Sequence, residues 1–301
     1  MNYRQLVAYH DRKKAGLTIS AVRVKKERAA GRLGALETDL DHRLIGFEEK
    51  SAQPKTLADA TDWVQASMGV YIFKVDALLQ ALQVSGHDFG KDIIPGIMGK
   101  RDDLFVYDYE KENKIADFEA IVKDGVREKR LVGKTSDSTY WKDVGSIDSY
   151  YDANMALLAV DPPFSLYGER WPLRTYQRPM PPSKCILGGR VSDSIVCDGC
   201  LISGGAVSGS ILSPGVIVER DALVEQSVIF DDVIIEPNAR LRRVIIDKRT
   251  RIRAGASIGH NQEEDRKKGY RISDNGIVVV SEGMDSAQSW PRSSPPAETV
   301  G

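Results

Sequence analysis

A chain of 301 residues, 42% hydrophobic and 28% charged, has the apolar material for a substantial core and room for about two domains. Its formal net charge of -1 removes the general electrostatic case for nucleic acid or an anionic membrane as partner, and no apolar run reaches the ~18 residues that cross a bilayer. The first residues, MNYRQLVAYHDRKK, lack the apolar core of a signal peptide, and three cysteines in so long a chain fit a reducing compartment, so the cytoplasm is the expected location.

Residues 4–15 predict a helix and LTISAVRV (17–24) a buried strand. LGALETD and RLIGFEEK predict two short strands joined by a turn at Asp41. SMGVYIFKVDALLQALQV predicts a strand over 68–73 running into an amphipathic helix, and DLFVYDY a further strand. KIADFEAIVKDGVREKRLVGKTSD is too charged for an assignment, and residues 147–160 show apolar side chains at helical spacing. Strands alternating with helices predict an α/β layer with a largely parallel sheet, a partial Rossmann-like domain over 1–160. A helix feeding a buried strand is an unusual opening for such a domain, so the chain is expected to start in the middle of one.

The proline-dense stretch over 161–185 can continue neither a helix nor a central strand and predicts an extended connector. Beyond it, residues 207–257 hold three 17-residue units in tandem: VSGSILSPGVIVERDAL, VEQSVIFDDVIIEPNAR and LRRVIIDKRTRIRAGAS. Position one is Val207, Val224 and Leu241, position twelve Val218, Ile235 and Ile252, position sixteen Ala222, Ala239 and Ala256. A short repeat of aliphatic strands without a helix predicts a parallel β-helix. Aliphatic steps of five or six residues give three faces per coil, the hexapeptide type of left-handed β-helix, placed over 186–283. Residues 284–301 have the composition of a disordered tail. Cys197 and Cys200 form a lone CxxC inside a coil; with no second pair nearby, packing is the expected role rather than metal or thiol chemistry.

Four segments combine charge, glycine and aromatics near strand ends: GFEEKSAQP (46–54), ASMGVYIF (66–73), SGHDFGKDIIP (85–95) and TYWKDVGSIDSYYDANM (139–155). Lys50 could meet a phosphate as a point charge, and Asp143, two residues before a glycine, could hold a divalent cation. Each residue also has a plain reading: a solvated surface lysine, and an N-cap aspartate.

Taken in order, FEEK, SMGVYIF, HDFGKDIIP, YWKDVGS, WPLRTY, PPSK, IIDK and GIVVV resemble ADP-glucose pyrophosphorylase, the glucose-1-phosphate adenylyltransferase family of glycogen and starch synthesis, over about residues 2–283. The resemblance implies a nucleotidyltransferase domain joined to a β-helix module for regulation and assembly. It implies transfer of the adenylyl group of ATP to glucose 1-phosphate, giving ADP-glucose and pyrophosphate, with Mg²⁺ between carboxylates. Carried over by position, Lys50 would bind the sugar phosphate, and Glu49, Ser67, Asp88 and Phe89 would contact the glucose. Gly34 would admit close approach of backbone to ligand, and Asp143 would be one metal-holding carboxylate. The family's GGxGTRL-like phosphate loop and GDH-like tripeptide do not occur within these residues, and Met1-Asn2-Tyr3 aligns just after the latter. The chain is therefore expected to carry the sugar-phosphate half of a site and to be inactive alone.

Basic residues crowd the third repeat (Arg242, Arg243, Lys248, Arg249, Arg251, Arg253), with Arg174, Arg178 and Lys184 in the connector. They read equally as solvated coil edges or as an anion site. The resemblance implies sugar-phosphate, phosphoglycerate, AMP or phosphate effectors, with Lys248, Asp247, Arg178 and Lys184 as candidates. Ser281 and Glu282 stand where the family often has a basic residue. A homo-tetramer or hetero-oligomer is implied, a non-catalytic regulatory subunit being the alternative. A β-helix acyltransferase is a remote one, since His260 merely follows the repeats.

Overall fold

A computed structural model describes residues 1–123 and 126–283, and the expected tail over 284–301 lies outside the described residues. The chain forms two compact units, Met1–Trp141 with Leu166–Leu173, and Lys142–Ser165 with the residues from Arg174 onward.

The first unit opens with the helix Tyr3–Lys13, which buries Leu6, Tyr9 and His10 and ends at Lys14 in the left-handed conformation. Its last turn is basic, complementing the negative end of the helix dipole. Strands β1 (Leu17–Lys25), β2 (Ala35–Thr38), β3 (Leu44–Glu48), β4 (Trp63–Phe73) and β5 (Leu104–Asp108) form one sheet in the order β3-β2-β4-β1-β5. One face of β1 packs Leu17, Ile19 and Ala21 with Leu104 and Val106, and the other packs Val22 with Tyr9, Phe105 and Tyr107. Burial on both faces is why β1 reads as a nearly continuous apolar run.

The expectation of a largely parallel sheet is corrected. Among the described residues only β1 and β5 of this sheet pair in parallel; β1–β4, β2–β4 and β2–β3 are antiparallel. The β2–β3 turn is too short for a crossover, which parallel strands require. The Asp39 carboxylate braces it, accepting from the backbone N–H of Asp41 (2.9 Å) and Arg43 (2.8 Å).

The stretch that sequence left unassigned is an antiparallel hairpin, β6 (Asp117–Lys123) and β7 (Val126–Val132). Its root is pinned by Asp117, which is buried and whose carboxylate accepts from the backbone N–H of Phe118 (2.7 Å), Glu169 (3.2 Å), Arg170 (3.1 Å) and Trp171 (3.1 Å). Burial pushes this carboxyl up, but the four N–H donors outweigh it and hold it below the usual aspartate value. The folded value is depressed, so the tether is at full strength above about pH 4 and is lost as pH falls through the folded value. Replacing Asp117 by alanine should cost about 2 kcal/mol or more at pH 7, because buried N–H groups lose their acceptor. Urea denaturation of both proteins should show that gap narrowing as pH falls below about 4; a gap independent of pH would rule out an ionised tether.

In the second unit three parallel sheets stack coil on coil. One contains Ile195–Val196, Ile211–Leu212, Val228–Ile229 and Val244–Ile246; the second Lys184–Ile186, Leu201–Ser203, Ile217–Val218, Ile234–Ile235 and Arg251–Ile252; the third Arg190–Ser192, Ala206–Ser208, Leu223–Glu225, Arg240–Arg242 and Ser257–Ile258. Ile211 pairs with Val228 and Val228 with Ile245, which is the 17-residue period, whereas Ile195 pairs with Ile211 across a shorter first coil. The repeating aliphatics point inward: Ile202, Leu212, Val218, Val224, Ile229, Ile235, Leu241, Ile246, Ile252 and Ile258 are all 0% exposed. Corners fall at left-handed residues that stack in columns, such as Gly215, Asp232 and Arg249, or Gly204, Asp221, Asn238 and Gly255. After Ile258 the helix Gln262–Lys267, capped by Asn261, leads back to Val278–Val280, which pairs in parallel with Val244–Ile246.

The expected boundary at 160/161 differs from the contact boundary at 141/142. The helix Ile147–Met155, closed at its start by a Ser146–Ser149 capping box, turns Ile147, Tyr150, Tyr151 and Met155 onto Val228, Phe230, Ile245 and Ile277 of the β-helix. Tyr151 also donates its hydroxyl to the Gln226 carbonyl at 2.6 Å. Its apolar face buries there, so it lies with the second unit; the α-helix ends at Met155, short of residue 160.

Candidate functional site

An irregularity in β4 builds the site in the first unit. Ile19 of β1 pairs with Tyr71 and Ala21 with Ser67, so Met68, Gly69 and Val70 stand opposite the single residue Ser20. Gly69 takes φ +70, which glycine adopts without steric cost, and its N–H donates to Ser67 Oγ (3.3 Å). Such a bulge re-aims side chains at a strand's working end. Ser67 Oγ lies 3.5 Å from the Tyr71 hydroxyl, and the Ser67 N–H donates to the Gly34 carbonyl at 2.8 Å, holding the entry of β2 against β4.

Opposite them, β3 ends in Glu48 and the chain turns through Glu49 and Lys50. Lys50 sits at φ +49, a left-handed backbone unusual for a residue with a side chain. Its ammonium is 3.8 Å from Glu49 Oε1, with the lysine side chain 60% exposed and the glutamate 22%. Burial raises the Glu49 carboxyl above its ordinary value; Lys50 opposes this and Asp88 adds to it.

Asp88 closes the third side. Its Oδ1 accepts from the N–H of Gly90 (2.8 Å) and Lys91 (2.9 Å), and those bonds lower its carboxyl value. Phe89 stacks on Tyr71 with centroids 5.9 Å apart and lies 5.8 Å from Phe73. Burial raises the Tyr71 hydroxyl, so it stays protonated as a donor. Gly34, Glu49, Lys50, Ser67, Asp88 and Phe89 therefore fall within one unit. Sequence reading missed Tyr71, whose signal was an aromatic four residues after Ser67 on one strand, and Gly90, next to Phe89. The arrangement offers one cation, two carboxylates, two hydroxyls and an aromatic face, a set suited to a phosphorylated polyol.

The nucleotidyl transferase family matches residues 1–160, and the GlmU-like C-terminal hexapeptide family matches residues 181–280. The chain is 40% identical over 293 residues to glucose-1-phosphate adenylyltransferase 1 of Vibrio vulnificus, covering 94% of this chain and 67% of that one. The chain belongs to the glucose-1-phosphate adenylyltransferase family. Its members in Anaeromyxobacter and Rhodopirellula baltica are 41% and 37% identical, each over 94% of this chain and over 68% and 61% of their own lengths. The chain thus spans about two thirds of the length of these relatives, and less than two thirds of the last.

The other expected site residues of this family member lie in the second unit. Asp143 Oδ1 accepts from the Gly145 N–H at 3.3 Å, which holds the carboxylate at the start of the loop before the Ser146 cap. Among the described residues no cluster of three His, Cys, Asp or Glu forms a cation cage. Of the effector candidates, Arg178 is engaged by Asp232, donating to Oδ1 (2.6 Å) and Oδ2 (3.2 Å). Arg249 pairs with Glu282 at 3.0 Å and Arg251 with Glu236 at 2.6 Å, so much of the basic cluster meets acidic neighbours. Lys184 lies exposed in the first coil, and Lys248 exposed at a corner where its N–H donates to Asp247 Oδ1 (2.8 Å). Asp247 Oδ2 also accepts from the Glu282 N–H at 3.4 Å.

The CxxC is part of the packing. Cys200 is buried in the β-helix core, its thiol donates to the Ser213 carbonyl (3.2 Å), and burial pushes both thiols up, away from the reactive thiolate. His260 is exposed on the turn that follows the repeats.

Proposed function

We propose that this chain supplies the glucose 1-phosphate side of an adenylyltransferase site. In the reaction a phosphate oxygen of glucose 1-phosphate attacks the α-phosphorus of ATP, and the bond to the bridging oxygen of the β-phosphate breaks. The products are ADP-glucose and pyrophosphate. The observation that carries this reading is the meeting of Glu49–Lys50, Ser67, Asp88 and the Tyr71–Phe89 stack at the β4 bulge. Lys50, a compact point charge, meets the sugar phosphate. Glu49 and Asp88 accept from glucose hydroxyls, Ser67 and Tyr71 donate to or accept from them, and Phe89 covers an apolar ring face. Two lone pairs of Asp88 are already committed to backbone N–H groups, so its remaining acceptor capacity is directional.

Asp143 would give one carboxylate to Mg²⁺, an ion that usually takes one or two carboxylates and fills its other positions with water and substrate phosphate. When bound, the ion would neutralise charge between the phosphates. A phosphorylated effector would meet Lys248 at its corner; Lys184, four rungs from Arg251 along one sheet and so roughly 19 Å from it, would meet an anion separately, and Arg178 is held by Asp232. Cytoplasmic location and assembly as a homo-tetramer or hetero-oligomer belong to the same proposal.

Calorimetric titration of the purified chain tests it. Glucose 1-phosphate should bind measurably and in preference to glucose 6-phosphate, whose phosphate lies at the other end of the sugar. Equal or absent binding of both would overturn the assignment of the bulge site. No glycine-rich phosphate loop occurs within the 301 residues, so ADP-glucose formation by this chain alone is not expected.

A further inference from the structure

Two glycines face the same carboxylate oxygen, and glycine's backbone freedom does not explain either. A Cβ on Gly34 would stand 2.7 Å from Oε2 of Glu49, and a Cβ on Gly90 would stand 2.5 Å from the same oxygen. Neither residue is among those with positive φ, so both backbones would accept an L-residue were there room. Both are buried. They come from separate elements, Gly34 at the entry to β2 and Gly90 in the turn that Asp88 caps. Each is fixed from its other side, Gly34 by the N–H of Ser67 on its carbonyl and Gly90 by its own N–H on Asp88 Oδ1 (both 2.8 Å).

We infer that Gly34 and Gly90 are positioning residues, two walls of a slot that grips Glu49 Oε2 and leaves Oε1 turned toward Lys50. Gly34 then has a different part from the close backbone approach that family resemblance implies for it: its missing side chain makes room for a carboxylate, and for the Phe47 ring, whose Cζ would lie 2.9 Å from a Cβ there. The role of that carboxylate toward glucose rests on the function proposed above. A glutamate side chain is flexible and loses substantial rotamer entropy on being ordered. A slot that orders it before ligand arrives removes that cost from binding and fixes a hydroxyl acceptor at a set distance from the phosphate-binding cation. The slot would therefore favour a sugar phosphate over bare phosphate. The groups around Glu49 are Lys50 on its own turn, Asp88 across the slot, and Tyr71 on β4. Confinement between them accounts for the burial that raises the Glu49 carboxyl.

The test uses the whole chain. The Glu49 carboxyl is titrated by NMR with labelled glutamate, assigned through Glu49→Gln, in the parent, Gly34→Ala and Gly90→Ala proteins. Binding of glucose 1-phosphate and of inorganic phosphate is measured by calorimetry. Either glycine variant should return the Glu49 titration toward its ordinary range and weaken glucose 1-phosphate about tenfold or more, while inorganic phosphate changes less than about twofold. In a Glu49→Ala background, Gly90→Ala should cost less than about twofold, because nothing is left to displace. The slot is overturned if both glycine variants leave the Glu49 titration in place. It is overturned equally if Gly90→Ala costs as much without Glu49 as with it. Should one variant fail to fold, the other decides. If the parent protein ignores glucose 1-phosphate, the proposed substrate falls, and the Glu49 titrations still decide the slot.

Discussion

Replacing Lys50 by glycine is expected to abolish most glucose 1-phosphate binding while leaving the chain at least as resistant to denaturant as the parent. The two halves of this result have separate causes. A charge-assisted contact to a phosphate is worth about 2–3 kcal/mol, so losing it should weaken binding about 30- to 150-fold. The lysine gives little back to stability. Its pairing with Glu49 at 3.8 Å is half in solvent, and such exposed pairs contribute at most about 1 kcal/mol. Against that, a non-glycine residue at φ +49 carries a steric cost of about 1 kcal/mol that glycine removes. Lys50→Arg should fall between parent and glycine, since a planar fork does not reproduce a compact ammonium. Calorimetry and urea denaturation on the same samples check both halves. A glycine variant that lost stability in proportion to affinity would show that Lys50 supports the fold.

The largest stability effect should come from one methyl-rich position of the β-helix, set against its immediate neighbour. Ile235 is fully buried and aligned between Val218 of the coil before and Ile252 of the coil after, both also 0% exposed. Ile235→Ala leaves a cavity that two flanking coils cannot collapse into without breaking their own register. It should cost about 2–5 kcal/mol. Ile234, one residue earlier, points to the other side of its strand and is only half-buried, so Ile234→Ala should cost less than about 1 kcal/mol. Because each coil touches only its neighbours, the Ile235 defect should also broaden the denaturation transition rather than merely shift it. Equal midpoints for the two variants would falsify the inward assignment of the repeat's twelfth position.

Different parts of the molecule were legible in the sequence to different degrees. The β-helix was almost wholly legible, since each coil repeats the contacts of the last and position twelve meets position twelve of the next coil. The buried run LTISAVRV and the Asp41 turn were legible for local reasons. The sheet's direction was not, because alternating strands and helices do not specify that β2 and β3 form a hairpin laid antiparallel against β4. The hairpin of β6 and β7 was hidden by its charge and is held at its root by Asp117, which draws on backbone N–H groups more than fifty residues away. The helix Ile147–Met155 was predicted as a helix, but its partner depended on whether Tyr151 finds an apolar wall, and Val228, Ile245 and Ile277 provide it.

The sequence by itself determined the β-helix, its period and its inward face, because repeat spacing is a local property of the chain; Glu49, Lys50, Ser67, Asp88 and Phe89 entered as candidates through the order of motifs that resembles a family. Only the tertiary structure decided that Met68, Gly69 and Val70 of β4 bulge opposite the single residue Ser20, that Tyr71 joins Ser67 and Phe89, and that Gly34 and Gly90 enclose one oxygen of Glu49. Those relations join residues from separate strands and turns, and no local rule of propensity or spacing encodes a distance between them.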